Sequence, residues 1–206
     1  FMDGDTMACS NEYERVIDID RAGALLLFET SGQDGSRQAE QISAICRNFH
    51  AIYLKNENNL EKAETLWKIR RNLSKAVKAS ASRKIAEDIC VPPSKLPELV
   101  NFVAQLDKEY PMRINSYGHA GDGNLHVNFL AKEQSGFEDQ FIDEGINRLF
   151  AKTLELGGTL SGEHGIGLTK KDFLHLEFDS PTLEFMRGIK KVFDPEGLLN
   201  PGKMFA

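Results

Sequence analysis

The stretch Tyr117-Gly-His-Ala-Gly-Asp-Gly-Asn-Leu-His-Val-Asn128 governs how this chain is read. Asp122-Gly123 lies between two runs of extended character, and Asp-Gly in that setting signals a two-residue hairpin turn. With that turn, Gly121 faces Asn124, Ala120 faces Leu125 and His119 faces His126. Directly opposed residues hold their Cβ atoms about 4.5–5.5 Å apart, so two imidazoles placed this way are able to share a metal ion. Asn128 follows His126 by two residues and joins the same face of the strand.

A second polar cluster, Gly157-Gly-Thr-Leu-Ser-Gly-Glu-His-Gly-Ile-Gly167, has five glycines in eleven residues. That composition makes a loop whose backbone can approach a ligand closely. Glu163 and His164 are at its centre. His119, His126 and Glu163 form a His₂Glu set, which suits a catalytic zinc with one open coordination position. His164 is then a spare imidazole beside the metal, available as a general base. The loop lacks the Gly-Lys-Ser/Thr ending of a phosphate cradle.

Working outward, the 206 residues are 41% hydrophobic and 27% charged, an ordinary globular composition with material for one sizeable core. The net charge of −6 argues against nucleic acid or an anionic membrane surface as the main partner. Cys9, Cys46 and Cys90 are odd in number and show no metal-type spacing. They read as reduced thiols of a cytoplasmic compartment. No apolar run reaches membrane-spanning length, so any membrane association is expected to come through other subunits. The start on Phe1-Met-Asp-Gly, without basic or apolar targeting character, predicts a piece of a longer protein.

Periodicity predicts alternating elements. Ala24–Thr30 and Ala51–Leu54 read as strands, and Asp34–Phe49 and Leu60–Ala79 as amphipathic helices. Arg83–Val91 reads as extended, stopped by Pro92-Pro93. Ser94 is expected to cap a helix over Lys95–Glu109. Met112–Tyr117 and Leu125–Leu130 are the hairpin arms. A helix over Phe137–Leu156 ends at Gly157-Gly158, and Ser180-Pro181 opens the last helix. Alternation together with an antiparallel hairpin predicts an α+β sandwich, with helices on one face of a mainly antiparallel sheet and a helical C-terminal extension.

Three segments carry a family resemblance: Gly118-His-Ala-Gly-Asp-Gly-Asn-Leu-His126, Ser161-Gly-Glu-His-Gly-Ile-Gly167 and Asp194-Pro-Glu-Gly-Leu-Leu-Asn-Pro-Gly-Lys203. In this order they resemble signatures of the C-terminal domain of FAD-linked oxidases. That group includes the glycolate oxidase FAD subunit, D-lactate dehydrogenases and D-2-hydroxyglutarate dehydrogenase. The resemblance runs from about Ala24 to Phe205 and implies a ferredoxin-like substrate domain over 24–206, with 1–23 as a partial N-terminal element. It also implies an FAD-binding domain of the vanillyl-alcohol oxidase type lying N-terminal to this region, and an electron-acceptor protein as a further partner.

Carried over by residue, the resemblance assigns a divalent metal, zinc by donor type, to His119, His126 and Glu163, and the catalytic histidine to His164. Trp67-Lys-Ile-Arg70 is similar to a Trp-x-x-Arg motif whose arginine binds a substrate carboxylate; a planar guanidinium does so at two points. Ser74 follows one turn later on the same helix face, and Asn128 matches a polar residue near the substrate. Hydroxyglutarate-type relatives carry a lysine where this chain has Ala86; Lys84 shares its face if the segment is extended. That departure favours a short monocarboxylate. Asn200 and Lys203 lie in a tail that, by resemblance, runs back toward the flavin. The reaction implied is oxidation of a D-2-hydroxy acid to the 2-oxo acid, with hydride transfer to FAD. On the residues alone, a free-standing zinc hydrolase and a non-catalytic binding module stay open.

Overall fold

A computed structural model describes residues 1–17, 22–132 and 139–205. The chain divides into two compact units, Phe1–Lys84 and Ile85–Ala206, and the fold class is α+β.

The first unit opens with the short strand β1 (Met2–Asp3), paired antiparallel to β2 (Ala24–Leu25). Between them Asp3 caps helix α1 (Gly4–Tyr13) by accepting the Thr6 N–H at 2.8 Å. Helix α2 spans Gly35–Asn48 and α3 spans Leu60–Ala79, the latter capped by Asn59 through the Lys62 N–H. Helices α1 and α3 pack together, burying Ile69, Leu73, Ala76 and Val77 of α3. The interior spacing 69, 73, 76, 77 is the 3–4 residue stripe of an amphipathic helix. One expected strand forms only in part and another does not form. The Ala24–Thr30 run is a strand only at Ala24–Leu25, and Ala51–Leu54 is irregular. Their apolar side chains stay open to solvent, Phe28 at 56% and Ile52 at 75% exposure. An apolar run becomes a strand only where another strand takes its backbone groups.

In the second unit, β3 (Arg83–Cys90, whose first two residues belong to the first unit) is followed by a 3-10 turn over Pro93–Lys95 and helix α4 (Leu96–Glu109). Ser94 makes no cap here, contrary to expectation: it lies inside the 3-10 turn, and α4 starts after Lys95 without a side-chain cap. Pro97 explains this, since it has no N–H where a Ser94 cap would need one. The antiparallel strands β4 (Arg113–His119) and β5 (Asn124–Ala131) form the hairpin, and β5 also neighbours β3.

Helix α4 packs on β4, and α5 (Asp139–Glu155) packs on α4. Phe137, the expected start of α5, is outside the described residues. Along β5, Leu125, Val127 and Phe129 point to one face and Asn124, His126 and Asn128 to the other. A Cβ on Gly145 of α5 would come 2.6 Å from the Phe129 ring, so α5 lies tightly against the apolar face. The polar face, with its histidine, is on the opposite side of the strand. A short helix α6 (Leu174–Glu177) precedes α7 (Ser180–Phe193), which Asp179 caps through the Thr182 N–H. The expected start of α7 at Ser180 holds, with Pro181 in its first turn. No described helix is long and apolar enough to cross a membrane.

Candidate active site

The hairpin differs from the two-residue turn that Asp-Gly suggested. His119 pairs with Asn124, Gly118 with Leu125 and Tyr117 with His126, so the loop is Ala120-Gly-Asp-Gly123. Asp122 donates its N–H to His119 O at 3.1 Å. Gly123 adopts φ +75° and is buried, and its carbonyl accepts the Val91 N–H at 3.0 Å. This tie to the end of β3 holds the longer loop, a constraint that a local turn rule does not contain. The partner of His119 has moved by two positions, from His126 to Asn124. An even shift keeps side chains on their face, whereas an odd one would reverse them. His119 and His126 are therefore diagonal neighbours on one face, with ring centroids 6.5 Å apart.

The glycine-rich loop arrives at this face from α5. Gly157, at φ +75°, ends the helix, and Thr159 then exchanges two backbone hydrogen bonds with Cys90 at 2.8 and 3.1 Å. Beyond it the loop is organised by Asp88, whose carboxylate is wholly buried. Its Oδ2 accepts the backbone N–H groups of Glu163 and His164 at 2.7 and 2.8 Å. Its Oδ1 accepts the Asn124 amide at 2.7 Å. Gly162 has to be glycine here, because a Cβ would lie 2.1 Å from the Asn124 amide nitrogen. Burial alone would raise the Asp88 carboxyl. The N–H groups of His164 and Glu163 and the Asn124 amide outweigh it and hold its pKa below the ordinary aspartate value.

So anchored, the loop sends its two central side chains to different places. Glu163 Oε1 reaches to 3.5 Å from His119 Nε2. The His164 ring stacks on His126 at 5.3 Å between centroids. Potential ligand atoms of His119, His126 and Glu163 all lie within 4.8 Å of one another. Asp88, His126 and His164 meet the same distance criterion. The two sets differ chemically. Asp88 Oδ2 is already saturated by two N–H donors, and His164 Nδ1 is 4.0 Å from it. Glu163 and His119 are about half exposed. Two imidazoles and one carboxylate around an accessible point fit a divalent metal such as zinc with a position left for a ligand.

Asn128 is fully buried and donates to Asn115 Oδ1 at 3.0 Å across the hairpin. Its own Oδ1 is buried without a hydrogen-bond partner among the described residues. An orphaned acceptor on the face of the histidines fits a site that takes a polar ligand. Arg70 and Ser74 are on α3 in the first unit, Arg70 half-buried and Ser74 exposed. The Arg70 charge, second to burial, lowers the pKa of the Phe1 amine. Lys84 is half-buried in the same unit, and burial, followed by Lys78, lowers its pKa. In the tail, Lys203 donates to Asn200 Oδ1 at 3.0 Å, and Met204 N–H bonds Gly167 O at 2.8 Å. Both Asn200 and Lys203 are exposed.

Sequence reasoning missed Asp88, Asn124 and Lys170. Lys170 Nζ is buried and donates to Asp88 O at 2.5 Å and Leu160 O at 2.6 Å, tying β3 to the loop. Glu87 lies 3.7 Å from the same amine; burial raises its pKa and lowers that of Lys170. The available signal was the acidic pair Glu87-Asp88 placed between Ile85-Ala86 and Ile89-Cys90 of the strand, with Asp88 on the Lys84 face.

Residues 1–204 match the family described as FAD linked oxidases, C-terminal domain. The chain is 33% identical to "Glycolate oxidase subunit GlcD" of Bacillus subtilis, over 100% of this chain and 44% of that protein. It is 32% identical to the "D-lactate dehydrogenase" of Anaerostipes hadrus, over 98% of this chain and 44% of the relative. To the "D-2-hydroxyglutarate dehydrogenase" of Stutzerimonas stutzeri it is 33% identical, over 89% and 40%. The chain thus spans less than half the length of these relatives. By the extent of this match, the chain belongs to the C-terminal domain family of FAD-linked oxidases.

Proposed function

We propose that this chain supplies the substrate site of an FAD-dependent dehydrogenase that oxidises a short D-2-hydroxy acid, of the glycolate or D-lactate type, to the 2-oxo acid. The observation that carries the reading is the convergence of His119, His126 and Glu163, with His164 beside them, on the polar face of the hairpin. The names of the relatives, glycolate oxidase, D-lactate dehydrogenase and D-2-hydroxyglutarate dehydrogenase, support the substrate class.

His119, His126 and Glu163 would hold the divalent metal, and Asn200 and Lys203 would touch an edge of FAD. When bound, the metal supplies a Lewis acid for the substrate hydroxyl, and FAD supplies the acceptor for the hydride on C2. The chain's own side chains do the rest. Arg70 pairs with the substrate carboxylate at two points. Asn128, fully buried on the same strand face as His126, backs the site from within through its bond to Asn115. His164 takes the hydroxyl proton on a ring nitrogen. Its side chain is 60% exposed and free of the Glu163 pairing, so it can meet a ligand from the solvent side. The absence of a lysine at Ala86 favours a substrate with one carboxylate.

The roles of His126 and His164 are separable by experiment. His164→Ala should slow flavin reduction by about 10²–10⁴-fold, the usual range for removing a general base, with metal content unchanged. His126→Ala should lose the metal. A His164→Ala enzyme that reduces flavin at the parent rate, or that also loses its metal, contradicts the assignment.

A further inference from the structure

The Asp88 carboxylate touches both halves of the site, and none of the three segments that carry the family resemblance contains it. We propose that Asp88 is a positioning residue that fixes the His126 tautomer and, with its other oxygen, the orientation of Glu163 and His164. The inference rests on the reading of His119, His126 and Glu163 as metal ligands.

Asp88 Oδ1 faces His126 Nδ1 at 3.5 Å, and both side chains are buried. An ionised carboxylate only accepts hydrogen bonds. An imidazole nitrogen held against it is therefore the protonated one. That leaves Nε2 of His126 with the ring's free lone pair, the state a metal ligand needs. Asp88 Oδ2 meanwhile takes the consecutive N–H groups of Glu163 and His164. Those two bonds fix the loop backbone at the point where one side chain turns to His119 and the next stacks on His126. One buried carboxylate thus sets the proton position on one ligand and the approach of another. Asp88 itself is a poor ligand, since both oxygens are occupied by donors.

Asp88→Asn makes the test sharp. The introduced carboxamide has nearly the same volume, and its oxygen can still take the two loop N–H groups. Its NH₂ then faces His126 Nδ1, which must become an acceptor, moving the ring proton to Nε2. Asn124 can turn its amide to offer Oδ1, an atom without a hydrogen-bond partner in the parent.

The experiment uses the complete protein with ¹⁵N-labelled histidine, stripped of metal, at a pH where the imidazoles are neutral. The His126 resonances are assigned by their loss in His126→Ala. The expected parent tautomer is Nδ1–H, changing to Nε2–H in Asp88→Asn. Zinc affinity, measured by chelator competition, should fall about 10–100-fold in Asp88→Asn, as for other carboxylates behind a ligating histidine. An Nε2–H tautomer in the parent overturns the proposal, and this reading needs no variant to fold. So does an Asp88→Asn protein that binds zinc as tightly as the parent, while the parent binds one zinc and His126→Ala none; the ligand set then survives. A parent that takes up no zinc removes the ligand set, and the inference with it.

Discussion

Gly123 and Gly165 share a positive φ of +75° in opposite surroundings, and the pair separates backbone strain from steric conflict. Gly165 is exposed, and a Cβ there meets nothing within 4 Å. Gly165→Ala should cost only the left-handed penalty, about 1–2 kcal/mol. At Gly123 a Cβ would lie 1.8 Å from the Val91 carbonyl oxygen, a backbone atom in a buried segment. The strand end has to move, which breaks the Val91–Gly123 hydrogen bond of 3.0 Å. Losing that bond costs about 1 kcal/mol, and leaving its buried groups unsatisfied about 1–3 kcal/mol more. Gly123→Ala should therefore destabilise by about 3–6 kcal/mol in all. In a chain of this size each kcal/mol lowers Tm by about 2–4 °C. Differential scanning calorimetry of the two variants should show Gly123→Ala melting roughly 5–15 °C below Gly165→Ala. Equal melting temperatures would refute the reasoning, because they would mean that the loop tip is not locked to β3.

Two further outcomes follow from buried charge and from guanidinium geometry. Lys170→Met leaves Glu87 buried without its cation and removes a donor from Asp88 O and Leu160 O; it should cost about 3–5 kcal/mol in chemical denaturation. Adding Glu87→Leu should restore part of that loss, and a double variant no more stable than the single one would count against a coupled pair. Arg70→Lys replaces a planar fork by a point charge; loss of one charge-assisted hydrogen bond, about 1.5–3 kcal/mol, should raise the Kd for a 2-hydroxy acid about ten- to a hundredfold. An unchanged Kd removes Arg70 from the carboxylate site.

Much of the architecture is legible in local pattern. Helix α3 runs over Leu60–Ala79, as its stripe of Leu66, Leu73 and Val77 indicates. β3 stops within a residue of its expected end before Pro92-Pro93. These elements carry their own periodicity and stop signals, so no distant contact is needed to place them. The runs at Leu26–Thr30 and Ala51–Leu54 are as apolar as real strands, yet remain irregular. Whether such a run pairs depends on a neighbouring backbone, which its own residues do not encode.

The candidate site divides along the same line. The residue types are written in the chain: two histidines seven apart around Asp-Gly, and Glu163-His164 among glycines, offer a candidate His₂Glu set with a third imidazole beside it. The face is also determined locally, because strand alternation places His119 and His126 together under either hairpin register. The register itself was decided by tertiary structure. Val91 holds Gly123 and lengthens the loop, turning two opposed histidines into diagonal ones. Asp88 is a tertiary fact of the same kind. Nothing in its neighbours along β3 shows that its carboxylate will receive N–H groups from residues 163 and 164. Only packing the loop against the strand removes it from water, and a buried carboxylate must then find donors wherever the fold supplies them.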